Sequence, residues 1–209
     1  MRAQIEHMAN IRLATPEDGA AAAAIYAPYC DGSAVSFEQV APSAAQMQQR
    51  IAGVIAHRPW LVLDDGGAVA GYAYAVPHND RWAYRWSVNT AIYISRAHHR
   101  RGAGRALYTT LFDLLRRLGY YRAVAGITLP NPASVGLHET MGFELVGVYR
   151  DIGYKLGKWR DVGWYEAPIQ PVTGEPEEPR PLASLHGTPE WDDAVLRGLK
   201  FYAALADGG

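Results

Sequence analysis

The chain has 209 residues, a length typical of one folded domain with its own hydrophobic core. Apolar residues make up 49% and charged residues 20%, as in ordinary globular proteins rather than disordered or fibrous ones. The formal net charge of -1 argues against general capture of nucleic acid or of an anionic membrane surface, because both need a strong basic excess.

Hydrophobic patterns divide the first half of the chain into a strand, two helices and three strands. The predicted bounds are 11–14 for the first strand, 16–29 and 42–57 for the helices, and 60–64, 68–76 and 86–95 for the later strands. Thr15-Pro16-Glu17-Asp18 predicts the start of the first helix, since it supplies a cap, a proline and two first-turn acids. Asp65-Gly66-Gly67 predicts a hairpin turn, so we expect the strands on either side of it to be antiparallel.

The second half continues with helix, strand, helix and strands. The helix over 102–118 has the clearest pattern, with leucines along one face and Gly119 as its stop. The other predicted elements are a strand over 121–129, a short helix over 132–141 capped by Asn131, a strand over 143–149, and two strand-like runs within 153–169 around Gly157-Lys158-Trp159. This order predicts a mixed α/β layer.

The composition changes near residue 170, where we place the end of the main domain, 1–170, whose residues 1–10 we expect to be flexible. Four prolines and three glutamates within 171–181 predict an extended linker, which we take as 171–187. The C-terminal segment 188–209 contains a predicted helix with an apolar face formed by Trp191, Val195, Leu199 and Tyr202. This face is expected to dock on the same domain or on a second subunit.

Cysteine content and apolar runs bear on the compartment. Cys30 is the only cysteine in the sequence, so it offers no intrachain disulfide and no thiolate cluster, and we expect no metal. Residues 1–10 lack the apolar core of a signal peptide, and no run reaches about 18 apolar residues. We expect a cytoplasmic protein without membrane or nucleic-acid partners.

A glycine- and arginine-rich loop joins the strand 86–95 to the helix that follows. Its sequence is His98-His99-Arg100-Arg101-Gly102-Ala103-Gly104-Arg105. Unpaired amides at a helix N-terminus favour phosphate, glycines allow close approach, and the arginines add positive charge. The loop is not a Walker A motif, and Leu107 stands where the dinucleotide fingerprint needs its third glycine. A pyrophosphate cradle is one interpretation, and a solvated basic turn is the other.

Two segments resemble the motifs of the GNAT superfamily of N-acetyltransferases. They are His99-Arg100-Arg101-Gly102-Ala103-Gly104 and Asn131-Pro132-Ala133-Ser134-Val135-Gly136-Leu137-His138-Glu139-Thr140-Met141-Gly142-Phe143. Further segments resemble the phosphinothricin acetyltransferase family within it, among them Val35-Ser36-Phe37, Ala83-Tyr84-Arg85-Trp86 and Leu129-Pro130-Asn131-Pro132. The resemblance covers about residues 11–169.

The resemblance implies the GNAT fold, a mixed and mostly antiparallel central sheet with helices on both faces, here with a C-terminal helical extension. It also implies acetyl-CoA as cosubstrate. Backbone groups of Ile92, Tyr93 and Ile94 are expected to bind the pantetheine arm and orient the thioester carbonyl. The residues expected along the rest of the cofactor are His99, Arg100, Arg101, Gly102, Ala103, Gly104, Arg105, Asn131 and Ser134.

Three residues are candidates for the chemistry. His138 stands where the resembling family has a catalytic histidine, and an imidazole can accept and donate protons near neutral pH. Tyr108 could instead donate to the thiolate. The alternative for His138 is a histidine on the helix surface without a catalytic role, and the alternative for Tyr108 is a tyrosine of the core. Asn89 stands where the family has a glutamate that is taken as the general base, and an asparagine amide cannot take that proton.

We assign Phe37, Arg81 and Tyr84 to the acceptor pocket, because aromatic walls suit the apolar part of a small ligand or a cation. The alternative for the aromatic residues is a place in the core. Where the family offers two cations to the acidic groups of the acceptor, this chain has Asn79 and Arg81, hence one. The expected acceptor is a phosphinothricin- or methionine-sulfoximine-like amino acid, whose amine attacks acetyl-CoA directly. A homodimer is expected from the family. The alternative function is a catalytically impaired acetyl-CoA sensor or structural relative, marked by Asn89.

Overall fold

The computed structural model describes residues 9–203, so the predicted flexibility of residues 1–10 falls almost wholly outside the described part. Within residues 9–203 the chain forms seven strands and five α-helices, joined by loops and short 3₁₀ turns. The strands are β1 Asn10–Leu13, β2 Trp60–Asp65, β3 Ala68–Pro77, β4 Ser87–Ile94, β5 Arg122–Leu129, β6 Glu144–Lys155 and β7 Lys158–Pro168. The helices are α1 Gly19–Asp31, α2 Ala44–Ile55, α3 Ala103–Arg117, α4 Pro132–Thr140 and α5 Pro189–Leu199.

The described strands form one mixed sheet in the order β1-β2-β3-β4-β5-β7-β6. Neighbouring strands are antiparallel except β4 and β5, which run parallel. The predicted hairpin is present between β2 and β3, where Gly66 and Gly67 have φ values of 64° and 85°. Such positive φ angles cost glycine little, which is why the turn can be this tight. The sheet confirms the predicted fold class.

The side chains of β2 alternate between two hydrophobic cores, one on each face of the sheet. Leu61 and Leu63 pack in the core that contains the α3 leucines. Trp60 and Val62 pack in the core formed with α1 and α2. Because all four side chains are at most 2% exposed, the strand has a continuous apolar sequence instead of an alternating one. Helices therefore cover both faces, as predicted.

The two central parallel strands are paired only at their beginnings. Their ladder covers three residues of β4 and ends at Asn89, which lies opposite Val124 of β5. β4 remains paired with β3 as far as Ile94, and β5 remains paired with β7 as far as Leu129. The two strands therefore diverge after Asn89, and residues 90–94 of β4 face an opening inside the sheet.

The backbone groups along this part of β4 point alternately to β3 and to the opening. At the two ends of the β3–β4 ladder, the Ser95 N–H donates to the Ala70 carbonyl at 2.9 Å and the His78 N–H donates to the Ser87 carbonyl at 3.3 Å. Odd-numbered residues of β4 are therefore the ones that bond to β3. The residues whose N–H and C=O groups are directed to the opening are Thr90, Ile92 and Ile94.

The C-terminal helix α5 docks on its own domain. Trp191 is buried in the same core as the α3 leucines. The linker is held as well, since the Arg180 N–H donates to the Leu118 carbonyl at 2.8 Å and the Trp86 indole N–H donates to the Glu177 carbonyl at 2.7 Å. Of the two alternatives that the sequence left open, docking on the same domain is the one observed.

Strand β6 is longer than the sequence pattern predicts. The expected strand over 143–149 and the first strand-like run after residue 153 form one strand, joined across a register shift between Tyr149 and Gly153. A bulge of this kind moves side chains to the opposite face and bends the strand. The apolar alternation is interrupted there, which is why the pattern reads as two separate elements.

A glycine allows α5 to lie close to α3. A Cβ on Gly198 would lie 2.0 Å from Thr110 Oγ1 and 2.5 Å from the Ala106 carbonyl oxygen. We expect Gly198→Ala to lower the free energy of unfolding by about 1–3 kcal/mol, because the helices must separate. Gly53→Ala in α2 is the matched control: its Cβ would meet nothing within 4 Å, and we expect a gain of about 0.5–1 kcal/mol. Urea unfolding measures both, and equal effects would contradict this close packing.

Candidate active site

The opening between β4 and β5 leads into a cavity of about 420 Å³. Its walls come from the end of β4, the loop before α3, the first turn of α3 and the start of α4. Most residues predicted to hold the cofactor line it, namely Ile92, Tyr93, Ile94, His99, Arg100, Gly102, Ala103, Gly104, Arg105, Asn131 and Ser134. The structure therefore brings these separate segments together around one space.

Arg101 is the predicted cofactor residue that the structure does not bring to this cavity. Its guanidinium lies 3.6 Å from the Asp65 carboxylate and 5.4 Å from the centre of the Tyr202 ring. Its carbonyl oxygen accepts the Ala203 N–H at 3.1 Å. Arg101 thus belongs to the contact between the loop and the C-terminal segment.

The loop before α3 presents backbone amides at one end of the cavity. Gly102 caps α3 with a φ of 82°, a conformation that favours glycine. Gly104 has no room for a side chain, because a Cβ there would lie 2.8 Å from the Leu137 side chain of α4. The first amides of a helix have no partner within the helix and lie at the positive end of its dipole. This end of the cavity is therefore suited to a phosphate group.

The C-terminal segment supports this loop from the other side. A Cβ on Gly102 would lie 1.6 Å from the Phe201 carbonyl oxygen. The Arg105 guanidinium lies 3.9 Å from the centre of the Phe201 ring, and the Tyr202 hydroxyl donates to Asp65 at 2.8 Å. The sequence gives no local signal for this contact, because it joins the middle of the main domain to the C-terminal segment, about 100 residues further along the chain.

One backbone oxygen at the opening is already bonded by side chains. The Ile94 carbonyl accepts the Tyr29 hydroxyl at 2.8 Å and His99 Nε2 at 3.1 Å, so His99 carries its proton on Nε2. Tyr29 was not among the predicted site residues. The Ile94 carbonyl is therefore already engaged. The backbone amides of Ile92 and Ile94 are donors directed to the opening.

His138 and Tyr108 form a buried pair behind the cavity wall. His138 Nε2 lies 3.0 Å from the Tyr108 hydroxyl, and His138 Nδ1 lies 2.8 Å from the Ser134 carbonyl oxygen. A carbonyl oxygen can only accept, so Nδ1 carries the proton and Nε2 accepts from the tyrosine. The two side chains are 4% and 0% exposed. The structure brings them together, with Ser134 between His138 and the cavity.

Burial keeps both members of this pair neutral. It lowers the pKa of His138, and the hydrogen bond to the Ser134 carbonyl opposes that shift only in part. It also raises the pKa of the Tyr108 phenol, which the neighbouring Thr90 hydroxyl offsets only in part. At neutral pH the pair is therefore an uncharged imidazole that accepts a hydrogen bond from an uncharged phenol.

A second cavity of about 660 Å³ lies beside the first, and Val35 and Tyr93 line both of them. Its other walls include aromatic and small residues of α1, the 35–38 loop, β5, β6 and β7. Phe37, predicted for the acceptor pocket, lines this second cavity. The two cavities meet at Tyr93 of β4, at the opening in the sheet. Asn89, on the same face of β4, lines neither of them.

The other two predicted acceptor residues lie on the loop after β3 and do not line this second cavity. Arg81 is exposed, and its N–H donates to Asn79 Oδ1 at 3.0 Å. The Tyr84 ring lies 5.6 Å from the imidazole of His78. The structure therefore groups Arg81 and Tyr84 with each other at the end of β3, apart from Phe37.

A buried lysine fixes the loop that carries Phe37. Lys155 Nζ donates to the carbonyl oxygens of Cys30 at 2.5 Å, Ser36 at 2.6 Å and Glu38 at 2.7 Å. The Phe37 ring packs against Gly153, where a Cβ would lie 2.3 Å from the ring. Sequence reasoning missed this lysine, since a lone lysine at a strand end is usually solvated.

Two further observations concern residues 9–203. No three His, Cys, Asp or Glu side chains in that range are grouped so that they could hold a metal ion. No helix in the same range is long and apolar enough to cross a membrane.

Comparison with known proteins identifies this arrangement. The family model described as an acetyltransferase (GNAT) domain matches residues 11–164. The chain belongs to the GNAT acetyltransferase family. It is 38% identical over 173 residues to the phosphinothricin N-acetyltransferase of Streptomyces viridochromogenes, an alignment that covers 78% of this chain and 94% of the relative.

Two other similar proteins extend this result. The L-methionine sulfoximine/L-methionine sulfone acetyltransferase of Salmonella typhimurium is 36% identical over 104 residues, covering 50% of this chain and 61% of the relative. The crystal structure of a phosphinothricin acetyltransferase from Sinorhizobium meliloti in complex with acetyl-CoA is 33% identical, with a TM-score of 0.77, covering 82% of this chain and 94% of that one. The predicted superfamily and the predicted enzyme class, an acetyl-CoA-dependent N-acetyltransferase, are confirmed.

The lowered pKa of His138 predicts a pH-dependent contribution to stability. Between that lowered value and the unfolded value of about 6.5, the unfolded chain binds a proton that the buried imidazole does not. The stability of the wild type should therefore fall as the pH drops through this window. His138→Gln removes this contribution, so the wild-type advantage in unfolding free energy should grow with pH and level off above about 6.5. Urea titrations at several pH values measure it, and a constant difference would contradict the assignment.

The buried Lys155 is expected to stabilise the Phe37 loop strongly. Lys155→Met should lower the free energy of unfolding by about 3 kcal/mol, because three carbonyl oxygens lose their donor. Lys158→Met is the matched control on the exposed turn of the same hairpin, with an expected change within about 0.5 kcal/mol. Chemical unfolding compares the two variants. Similar small effects would show that the loop does not depend on Lys155.

Proposed function

We propose that the protein transfers the acetyl group of acetyl-CoA to the amino group of a small, amino-acid-like acceptor. The amine attacks the thioester directly, without an acyl-enzyme intermediate. One observation carries the proposal: the opening between β4 and β5 joins a cavity with a helix N-terminus to a second cavity with aromatic walls. A thioester held in the opening would be exposed to an amine from the second cavity.

The residues around the first cavity fit acetyl-CoA. The amides at Gly102 and Gly104, together with Arg100 and Arg105, provide the donors and the positive charge that a pyrophosphate needs. The edge of β4 offers backbone donors to an extended, amide-containing arm, much as an open sheet edge binds an added strand. Asn131 and Ser134 lie along the opposite wall. When bound, acetyl-CoA supplies the acetyl thioester.

The departing thiolate needs a proton, and we infer that it comes from the His138–Tyr108 pair, which lies behind the wall of the first cavity. Tyr108 carries a proton that points to His138 Nε2, and Ser134 and Leu137, beside His138, form the cavity wall. A general acid of this type contributes about 10²–10⁴-fold to the rate. We assign Tyr108 as the donor and His138 as the residue that positions and assists it.

The acceptor is a phosphinothricin- or methionine-sulfoximine-like amino acid. Relatives named as acetyltransferases of phosphinothricin and of methionine sulfoximine match the chain. In this chain the loop after β3 offers one cation, Arg81, because Asn79 is neutral. An acceptor with a single acidic group, such as methionine sulfoximine or methionine sulfone, suits that charge better than phosphinothricin, which has two.

A homodimer and a cytoplasmic location complete the proposal. The β6–β7 hairpin carries exposed large apolar side chains, namely Leu145, Val146, Tyr149, Ile152, Tyr154, Leu156 and Trp159. An exposed patch of this kind on an edge strand favours burial against another chain. The single buried cysteine suits a reducing compartment. Neither the described residues nor the relatives favour the alternative of an acetyl-CoA sensor.

Thiol release from acetyl-CoA tests the function. Methionine sulfoximine and methionine sulfone should be acetylated with higher kcat/KM than phosphinothricin, and a polyamine should be a poor acceptor, because the loop carries a cation and not an acidic group. Tyr108→Phe should lower kcat by about 10²-fold or more without weakening acetyl-CoA binding. Tight acetyl-CoA binding without turnover of any acceptor would contradict the proposal.

A further inference from the structure

The amino group of the acceptor enters as an ammonium ion. None of the residues assigned so far removes a proton from it. We propose, on the basis of the function above, that His78 accepts this proton and that Asn89 holds its ring in the tautomer that this requires. The inference rests on the contact between these two side chains and on their place in the sheet.

His78 and Asn89 meet where β4 and β5 separate. Asn89 is the last residue of β4 that pairs with β5, and His78 directly follows β3, its N–H bonded to the Ser87 carbonyl. The Asn89 side chain lies on the same face of β4 as Tyr93, which lines both cavities. The pair therefore lies at the closed end of the opening, on the face of the sheet that carries Tyr93, although neither residue lines either cavity.

The hydrogen bond between the two side chains fixes the proton on the imidazole. His78 Nδ1 lies 2.9 Å from Asn89 Oδ1, and an amide oxygen can only accept, so Nδ1 is the donor. In a neutral ring the lone pair then lies on Nε2. Within residues 9–203 no hydrogen bond to His78 Nε2 is present, and the side chain is half-buried. Asn89 cannot take the proton itself, but its hydrogen bond holds His78 in the tautomer that can.

His138 is poorly placed for this task. Its side chain is 4% exposed, and both of its ring nitrogens are engaged, with Tyr108 and with Ser134. His138 also lies on the face of the sheet that α3 covers, because it packs against Tyr108 and Phe143. His78 and His138 therefore lie on opposite faces of the sheet, so each can take part in a different proton transfer.

The proton balance of the proposed reaction follows. The ammonium group gives one proton to His78 Nε2, and the freed amine forms the C–N bond to the thioester carbonyl carbon. Collapse breaks the C–S bond, the departing thiolate takes a proton from Tyr108, and the second proton of the nitrogen restores Tyr108 by way of solvent. One proton in total goes to solvent through His78. The reaction requires no oxidant, reductant or further reactant.

Steady-state kinetics of His78→Phe against pH test the proposal, with methionine sulfone as acceptor. Phenylalanine keeps an aromatic ring beside Tyr84 but cannot accept a proton. We expect kcat/KM to fall by about 10²–10³-fold near neutral pH. The loss should shrink as the assay pH approaches the pKa of the acceptor amine, which then needs no base. The groups that face His78 are Asn89, Tyr84 and the Ser87 backbone.

A double variant and a control complete the experiment. His78→Phe with Asn89→Glu returns a carboxylate to the strand and should recover activity to within about tenfold of the wild type. His57→Phe, an exposed histidine at the end of α2, should leave kinetics unchanged. An unaltered acetyl-CoA affinity and an unaltered unfolding midpoint show that a variant folds. If His78→Phe does not fold, His78→Gln takes its place in the experiment.

Each outcome separates this inference from the function on which it rests. A wild type that acetylates no acceptor overturns both. An active wild type with an undiminished His78→Phe variant overturns only the role of His78. A loss that is the same at every pH, and that Asn89→Glu does not rescue, shows a structural role for His78 and also overturns it.

Discussion

The separation of β4 from β5 after Asn89 is the constraint on which the rest of the site depends. Each strand keeps its other neighbour, so the sheet stays intact while its middle opens. Backbone N–H and C=O groups on the inner edge are then left to bond to something other than the sheet. Tyr29 and His99 satisfy one of them, the Ile94 carbonyl. The amides that remain make the opening a binding edge for an extended polar ligand.

The segments around this opening are held in place by contacts from distant parts of the chain. The C-terminal segment packs against Gly102 and Arg105 and so supports the loop that presents backbone amides to the first cavity. Lys155 fixes the Phe37 loop through three carbonyl oxygens. In the proposed mechanism, the groups that handle protons lie on opposite faces of the sheet. One face would accept a proton from the amine and the other would donate one to the thiolate.

Local patterns in the sequence predict much of this fold and part of its site. The leucine face of α3, the Gly66-Gly67 turn and the loop before α3 all follow from spacing and residue type. The Lys155 contacts, the role of Tyr29 and the packing of Phe201 do not, because each joins segments far apart in the chain. Arg101 looks like its neighbours in the loop, yet Asp65 holds it away from the cavity. The burial of His138 depends on packing, which no local pattern reveals.

Amide hydrogen exchange, with and without acetyl-CoA, tests the central claim most directly. If the opening binds the cofactor, the amides of Ile92, Ile94 and Gly104 should become protected when acetyl-CoA is added. The amide of Tyr93, already bonded to β3, should change little. If acetyl-CoA binds while the exchange of Ile92 and Ile94 stays unchanged, the inner edge of β4 is not the cofactor site and the account fails.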